Sequence, residues 1–562
     1  MPKLKKKSKQ KSKTSGAAKT STLSLKEQLA EKRKVANQRK ELISFSTSAV
    51  FGAAFIGMMA FPLGGPKGAI GAIAGILCLA FSFKYPRPAL WAFLIYMPFS
   101  GTIIYSLGNS PVLQLAKDGF YLPGLVSIIQ ECRQKRLPII IPKDIKPWLM
   151  ILLACCLMTL FFVNGSQQMN AQQVALLTKK PPESPFAMGI LGLKVLMGYI
   201  PLITCAYYLI RNKKDFLLMT RLHVVLALIC FGLCFVQYMF LVTGRCAGTE
   251  FAEGADLFKA SLEARCLVGG SLLYSPSQGV IRLPGTFVAP WQWGWFIIAN
   301  AYFTFATTFS DPSAIWRTVG LLAMAADLVI AFISGQRIAL LLAPVSMVIL
   351  LVLTGQILNL KRFVPIAIGL GVVLGIVASL YPEVVQERID SFFGRWEASP
   401  ADEFIFYQFE FTWRNLKGSL IGLGLGRATG SARVFGYTAL IETWFPKVMH
   451  EIGPIGLIAF LALVTCLTVF TFKAYRSLRD PSLRSFGACL WVFVLFISYQ
   501  TYYYPLDVDP VAVYYWFFAG VLLKLPDLDK QERLNAEEPN ESQKKNKNNK
   551  KNKRLTKRMA TP

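Results

Sequence analysis

Apolar stretches of roughly twenty residues recur from residue 43 to residue 525, separated by short intervals rich in charge, Gly or Pro. This pattern constrains the fold more than any other feature. A helix rises about 1.5 Å per residue, so roughly twenty residues match the ~30 Å hydrocarbon core of a bilayer. A water-soluble chain of 562 residues would instead divide into domains with polar surfaces. The sequence therefore predicts an all-α, polytopic membrane protein.

Spans are expected near 43–62, 67–84, 88–107, 112–131, 147–164, 188–210, 220–243, 291–309, 317–334, 338–356, 363–381, 451–472, 485–504 and 510–525. That makes about fourteen, the 112–131 segment carrying the weakest signal. With the N-terminus in the cytoplasm, the inner intervals become 84–87, 131–146, 211–221, 310–316, 358–362 and 473–484. Nearly all are basic, as the positive-inside rule requires. The expected organisation is a basic cytoplasmic tail (1–42), eleven spans (43–381) with outer loops 165–187 and 244–290, a large extracytoplasmic loop (382–450), three spans (451–525) and a second basic tail (526–562).

The net charge of +29 is concentrated in the tails. Residues 1–40 hold 14 Lys/Arg against Glu27 and Glu31, and residues 544–558 hold nine with no acid. Their composition points to unfolded segments against anionic lipid, with 23–42 able to form a charged helix before the first span. They lack the interleaved aromatics of a nucleic-acid binder, so no nucleic-acid partner is expected. The first 40 residues contain no apolar core of a cleaved leader. Eleven cysteines include no CxxC pair, and His223 and His450 are the only histidines, so neither a metal nor another cofactor is expected. Cys246 and Cys266 share one polar loop, where an oxidising compartment would permit a disulfide.

Arg337 interrupts two apolar runs in AFISGQRIALLLAPVSMVIL. At the centre of one long span it would cost about 2.5–3.5 kcal/mol or more. In a turn between two spans, SGQR, it lies at the outer rim instead. Other arginines expected on that side are Arg282, Arg388, Arg395, Arg414, Arg427 and Arg433. Arginines on the disfavoured side ask for an anion, and the guanidinium fork grips phosphate oxygens in pairs. Arg282, Arg337 and Arg414 are read as diphosphate ligands. Arg388, Arg395, Arg427 and Arg433 are read as partners of nearby carboxylates.

Four segments, in order, resemble the O-antigen ligase and polysaccharide polymerase superfamily of bacterial envelope proteins: RLPGTFVAPWQWGWFI, SGQRIALLLAPVSMVIL, WRNLKGSLIGLGLG and HEIGPIGLIAFL. The layout is similar too, with a large outer loop before the last few spans, and the resemblance is best over roughly 190–475. The basic N-terminus followed by SLKEQLAEKRK is similar to cyanobacterial hormogonium polysaccharide biosynthesis proteins of that superfamily. The resemblance implies metal-independent, inverting glycosyl transfer outside the cytoplasmic membrane from a polyprenyl-diphosphate-linked glycan to a glycan or lipid acceptor. Other polysaccharide assembly proteins would be partners. Glu442 stands where the family commonly has His, nine residues before the Glu of the E-x-G signature. Glu442 and His450 are both candidates to take the acceptor's proton.

The remaining signals are weaker. IGLGLGR (421–427) is read as a tight turn that lets backbone approach the substrate, or simply as a loop, rather than as a dinucleotide site, since no strand–helix unit or downstream acid surrounds it. Asp507 and Asp509 form a D-x-D read as structural. Lys117, Asp118, Lys194 and Asp327 fall within expected spans, where ionisable groups are functional by default. The rival class is a lipid-linked glycan flippase or export transporter, though the two related halves common in transporters are not visible.

Overall fold

The structure, a computed structural model, describes residues 25–108, 117–179, 181–254, 257, 261–276, 280–356, scattered positions between 368 and 397, and 399–559. The chain forms two compact units, Met1–Ala80 and Phe81–Pro562. It is helical almost throughout, with two short β-ribbons.

In the first unit, α1 (Leu25–Lys84) carries the charged 23–42 stretch directly into the first apolar run. It breaks at Gly65, whose φ of 60° is left-handed, beside Pro66. Gly57 faces Ile73 and Ala69 across that break, so the two apolar arms lie side by side.

In the second unit, α2 (Pro86–Tyr96), a single 3-10 turn and α3 (Ser100–Ser106) form one span, and α4 (Asp118–Gln134) packs on α2 through Gly124 against Leu90. α5 (Lys146–Met158) passes through a π-helical segment, Thr159–Asn164, into α6 (Gly165–Thr178). The sequence reading ended this span at 164 and placed a loop over 165–187. The helix instead continues to Thr178, because GSQQMNAQQVALLT is made largely of good helix formers. The combined 35-residue helix would be about 52 Å long, well beyond a hydrocarbon core.

α7 (Pro185–Met197) and α8 (Leu202–Leu209) are a pair bent by 40° at the break between them. α9 (Lys213–Val242) leads to β1 (Arg265–Cys266), β2 (Val268–Ser271), β3 (Leu273–Ser275) and β4 (Val280–Arg282), antiparallel pairs β1–β2 and β3–β4. A disulfide joins Cys246 to Cys266. α10 (Pro290–Ser310) follows, then α11 (Ala314–Ile333) and α12 (Arg337–Leu353). α13 (Ala401–Leu416) precedes α14 (Trp444–Arg476), α15 (Pro481–Tyr499) and α16 (Val511–Met559).

Among the described residues, eight helices are long and apolar enough to cross a membrane, or nine with the bent α7–α8 pair. This is a multi-pass membrane protein of all-α architecture. Most of the expected span 363–381, and Arg388 and Arg395, lie outside the described residues. α16 stays helical to Met559, where the composition of 544–558 points to an unfolded tail; Lys, Glu, Gln and Arg sustain a helix seeded by the packed stretch before them.

α10 is the central pillar. Every residue from Trp293 to Ser310 is buried, against α9, α11, α12, α15 and α16. Three of its polar side chains bond within the helix: Asn300 donates to the Phe296 carbonyl (2.8 Å), Thr304 to that of Asn300 (2.7 Å) and Thr308 to that of Thr304 (2.7 Å). Such bonds remove the penalty of burying polar groups.

Among the described residues, the intervals expected to be cytoplasmic gather at one end of this unit. Arg221 grips Asp311 with two bonds of 2.9 Å, Lys213 pairs with Asp480 at 2.6 Å, and Arg87 reaches Glu131 at 3.4 Å. Tyr208 donates to the Pro138 carbonyl at 2.7 Å, and Ser482 to that of Ser310 at 2.7 Å.

Candidate functional site

Contacts link the segments that were expected on the outer side. Arg282 ends β4, opposite Leu273. The next residue, Leu283, donates its N–H to the Ser334 carbonyl at 3.0 Å, and the Gln336 amide reaches the Leu283 carbonyl at 3.4 Å. A Cβ on Gly335, which has φ 69°, would overlap the Ile281 carbonyl, so only glycine lets the SGQR turn seat against β4. The turn expected at 334–337 is present, and the backbones carrying Arg282 and Arg337 touch. Arg282 is half-buried, and among the described residues its guanidinium makes no ion pair.

Arg414 is placed differently. It lies in the last turn of α13 with its side chain 76% exposed, paired to Glu410 one turn back. The i,i+4 spacing of Glu410 and Arg414 makes that pair local, and no contact draws it to the Arg282–Arg337 corner among the described residues.

Glu442 and His450 flank the first helical turns of α14. Glu442 is half-buried and interacts electrostatically with Tyr504. Next to it, Thr443 forms a β-bridge with Tyr502, and Trp444 donates its N–H to the Thr501 carbonyl at 2.6 Å. His450 is buried, and its Nδ1 has no hydrogen-bond partner among the described residues. Gly294 faces the Gln336 side chain, and Trp295 donates to the Tyr503 carbonyl at 3.1 Å. The 500–505 loop therefore connects the arginine corner to the start of α14.

α14 is broken at Gly453 (φ 74°) before Pro454. Trp444 and Phe460 have ring centroids 5.6 Å apart, although sixteen residues of straight helix would separate them by about 24 Å. The 444–452 segment thus folds back beside the helix that follows it.

The glycine-rich loop 421–427 is built into this bend. Gly422, Gly424 and Gly426 all have left-handed φ, and a Cβ at Gly422 would overlap the Glu451 carbonyl. Leu423 donates to the His450 carbonyl at 2.8 Å. The π-helical turn and the first turn of α6 supply the other partners. Asn164 donates to the Leu425 carbonyl (3.0 Å) and accepts the Leu425 N–H (2.9 Å); Thr159 donates to Ile421 (2.8 Å) and Gln167 to Leu423 (2.8 Å). The loop's backbone is thereby satisfied by protein. Arg427 bonds Gln167 at 2.8 and 3.0 Å and Glu183 at 2.7 Å, while Arg433 faces Thr438 at 3.2 Å. Glu451 closes the loop, accepting the Ala428 N–H and the Thr429 hydroxyl, each at 2.9 Å.

Beside Glu451 lies an ionic cluster that periodicity did not reveal. Lys447 pairs with Asp507, Lys117 with Asp509, and Lys194 with Asp118, while Lys117 also sits 5.5 Å over the Tyr199 ring. Burial pushes the Asp507 carboxyl up, against the opposing pull of Lys447 and Lys117. The D-x-D carboxylates are thus held by lysines, in keeping with a structural role. Asp327 is fully buried in α11, and neither of its carboxylate oxygens has a partner among the described residues. No group of three or more His, Cys, Asp or Glu side chains suited to a metal ion occurs among the described residues.

The structure therefore joins Arg282 to Arg337, links that corner to the Glu442–His450 segment through the 500–505 loop, and leaves Arg414 on an exposed helix face. Asn164, Lys447 and Glu451 are polar residues of the site that the sequence reading did not select. No family model matches this chain, and no curated protein matches it.

Proposed function

We propose that this protein transfers a glycan from a polyprenyl-diphosphate donor to a glycan or lipid acceptor at the outer face of the cytoplasmic membrane, as a polymerase or ligase of envelope or extracellular polysaccharide. The observation that carries the reading is the Arg282–Arg337 corner. The Arg282 guanidinium, half-buried and without an ion pair among the described residues, beside a turn carrying a second arginine, favours an anionic ligand. Two arginines at that corner neutralise the charge that develops on a leaving diphosphate, and His450 or Glu442 accepts the acceptor's proton. Arg414, committed to Glu410, would join only by exchanging partners.

The finer topology belongs to the same proposal: about fourteen spans, both tails in the cytoplasm and the 382–450 loop outside. The gathering of basic intervals at one end supports that orientation, and so does a disulfide among the segments of the other end. A second reading, a lipid-linked glycan flippase or exporter, is favoured by Asp327, a buried and unpartnered carboxylate in a span. The test is Arg282→Ala and Arg337→Ala in cells, followed by recovery of lipid-linked glycan. A transferase accumulates the lipid-linked unit on the outer face. Accumulation on the inner face establishes transport instead.

A further inference from the structure

Arg282 sits on a ribbon that a side chain from another element holds in place. Gln237 lies in α9, about a turn and a half before that helix ends at Val242, and is fully buried. Its amide nitrogen donates to the Cys266 and Val268 carbonyls, each at 2.9 Å, and its amide oxygen accepts the Gly285 N–H at 3.2 Å. Both N–H groups and the oxygen of the amide are thus spent on main chain.

These bonds reach both strands of the Arg282 ribbon. Gly285 stands just beyond Arg282 on the chain leaving β4, and Val268 opens the run through β2 and β3 to Leu273, which lies opposite Arg282. The chain between Arg282 and Phe287 has little room to shift. A Cβ on Gly285, which has φ 53°, would overlap the Trp293 ring, and one on Gly269 would overlap the Gly285 carbonyl. Gly270 donates its N–H to the Phe287 carbonyl at 2.8 Å, and Thr102 donates its own to the Thr286 carbonyl at 3.0 Å. From the opposite side the Ser334 carbonyl holds Leu283, which joins this chain to the turn before Arg337. Residues 283–287 are therefore held between the SGQR turn on one side and the layer that Gln237 ties together on the other.

We propose that Gln237 is a positioning residue for the diphosphate site: it fixes where Arg282 stands relative to Arg337, without touching the ligand itself. The physical reason is the cost of an unpaired polar group. With an apolar side chain at 237, the Gly285 N–H and the two carbonyls lose this partner in an enclosed interior, and the ribbon gains by shifting toward others. A guanidinium pairs with phosphate oxygens only in a narrow geometry, so a displacement of the β4 backbone is felt as lost affinity. The identity of the ligand rests on the transfer reaction proposed above; the mechanical link between Gln237 and Arg282 does not.

The test is a double-mutant cycle with the full-length protein in nanodiscs, read as affinity for a polyprenyl diphosphate. Gln237→Met keeps the length of the side chain and removes its hydrogen bonds. Alone it should weaken binding about tenfold, and by less than about twofold in an Arg282→Ala background, because its effect runs through that arginine. Gln237→Glu, which keeps an acceptor for Gly285, should fall between wild type and Gln237→Met, and carries the same cycle where Gln237→Met does not fold. Hydrogen exchange supplies a readout without ligand: in the variant the Gly285 N–H should exchange about tenfold faster or more while the amides of α10 keep wild-type protection. Equal losses in the two backgrounds, or faster exchange throughout α10, mark Gln237 as general support for the fold and overturn the inference. Wild-type affinity in Gln237→Met beside a loss in Arg282→Ala overturns it while leaving the transferase reading standing. Wild-type affinity in Arg282→Ala overturns both.

Discussion

Glu451 is the residue whose removal tests the architecture of the bend most sharply. Its carboxylate accepts two bonds of 2.9 Å, from Ala428 N–H and Thr429 Oγ1, in a fully enclosed setting between the glycine loop and the break of α14. Hydrogen bonds to a charged group contribute about 1.5–3 kcal/mol each, and an orphaned buried N–H costs about 1–3 kcal/mol. Since the terms overlap, Glu451→Ala is expected to destabilise by about 3–5 kcal/mol, a factor of at least about a hundred in the folding equilibrium. Glu451→Gln keeps one acceptor oxygen in place and should cost less, about 1–2 kcal/mol. Reversible unfolding in mixed micelles measures both. A double-mutant cycle with Thr429→Val should show a coupling of about 0.5–3 kcal/mol, as for residues in direct contact. An alanine variant within about 1 kcal/mol of wild type would refute the reasoning. If Gln is as damaging as Ala, the charge beside Lys447 matters more than the two bonds to the loop.

At the opposite end, Arg221→Ala strands Asp311, whose side chain is fully enclosed, and should destabilise by about 3–5 kcal/mol; adding Asp311→Asn should recover part of the loss in the same unfolding assay. Burial pushes the Asp480 carboxyl up, but the Lys213 ammonium and the N–H groups of Leu483 and Ser482 bring it below its ordinary value. Its contribution to stability is therefore present above the unfolded-state value near about 3.9 and is lost as pH falls through the lower folded value. Asp480→Asn should flatten the acid limb of a stability–pH profile, and an unchanged limb argues against the pairing. Cys246 and Cys266 should resist a thiol-labelling reagent until reduced, and their paired Ser variant should lose about 2–4 kcal/mol; labelling without reduction contradicts the bridge.

Local pattern carried much of the fold. Runs of apolar residues marked the helices, and Ser-Gly-Gln at 334–336 marked the turn before Arg337. The glycines of IGLGLGR announced a tight turn, and the φ angles there bear that out. Long-range pairing was not visible in the same way. Lys117 meets Asp509 across 392 residues, and Asn164 meets Leu425 across 261, separations that no periodicity encodes. Arg414 shows the converse. Its partner Glu410 is one helical turn away, and weighing that i,i+4 pair would have set Arg414 apart from Arg282 and Arg337. The extension of α5 through the π-helical turn to Thr178 was missed because a polar composition was read as a loop, although its residues favour helix.

The most direct measurement is the affinity of the purified protein for a polyprenyl diphosphate in nanodiscs, wild type against Arg282→Ala, Arg337→Ala and Arg414→Ala. The account predicts a loss of tenfold or more for the first two variants and little change for the third, whose guanidinium is spent on Glu410. Equal affinity in wild type and the Arg282 and Arg337 variants would contradict it.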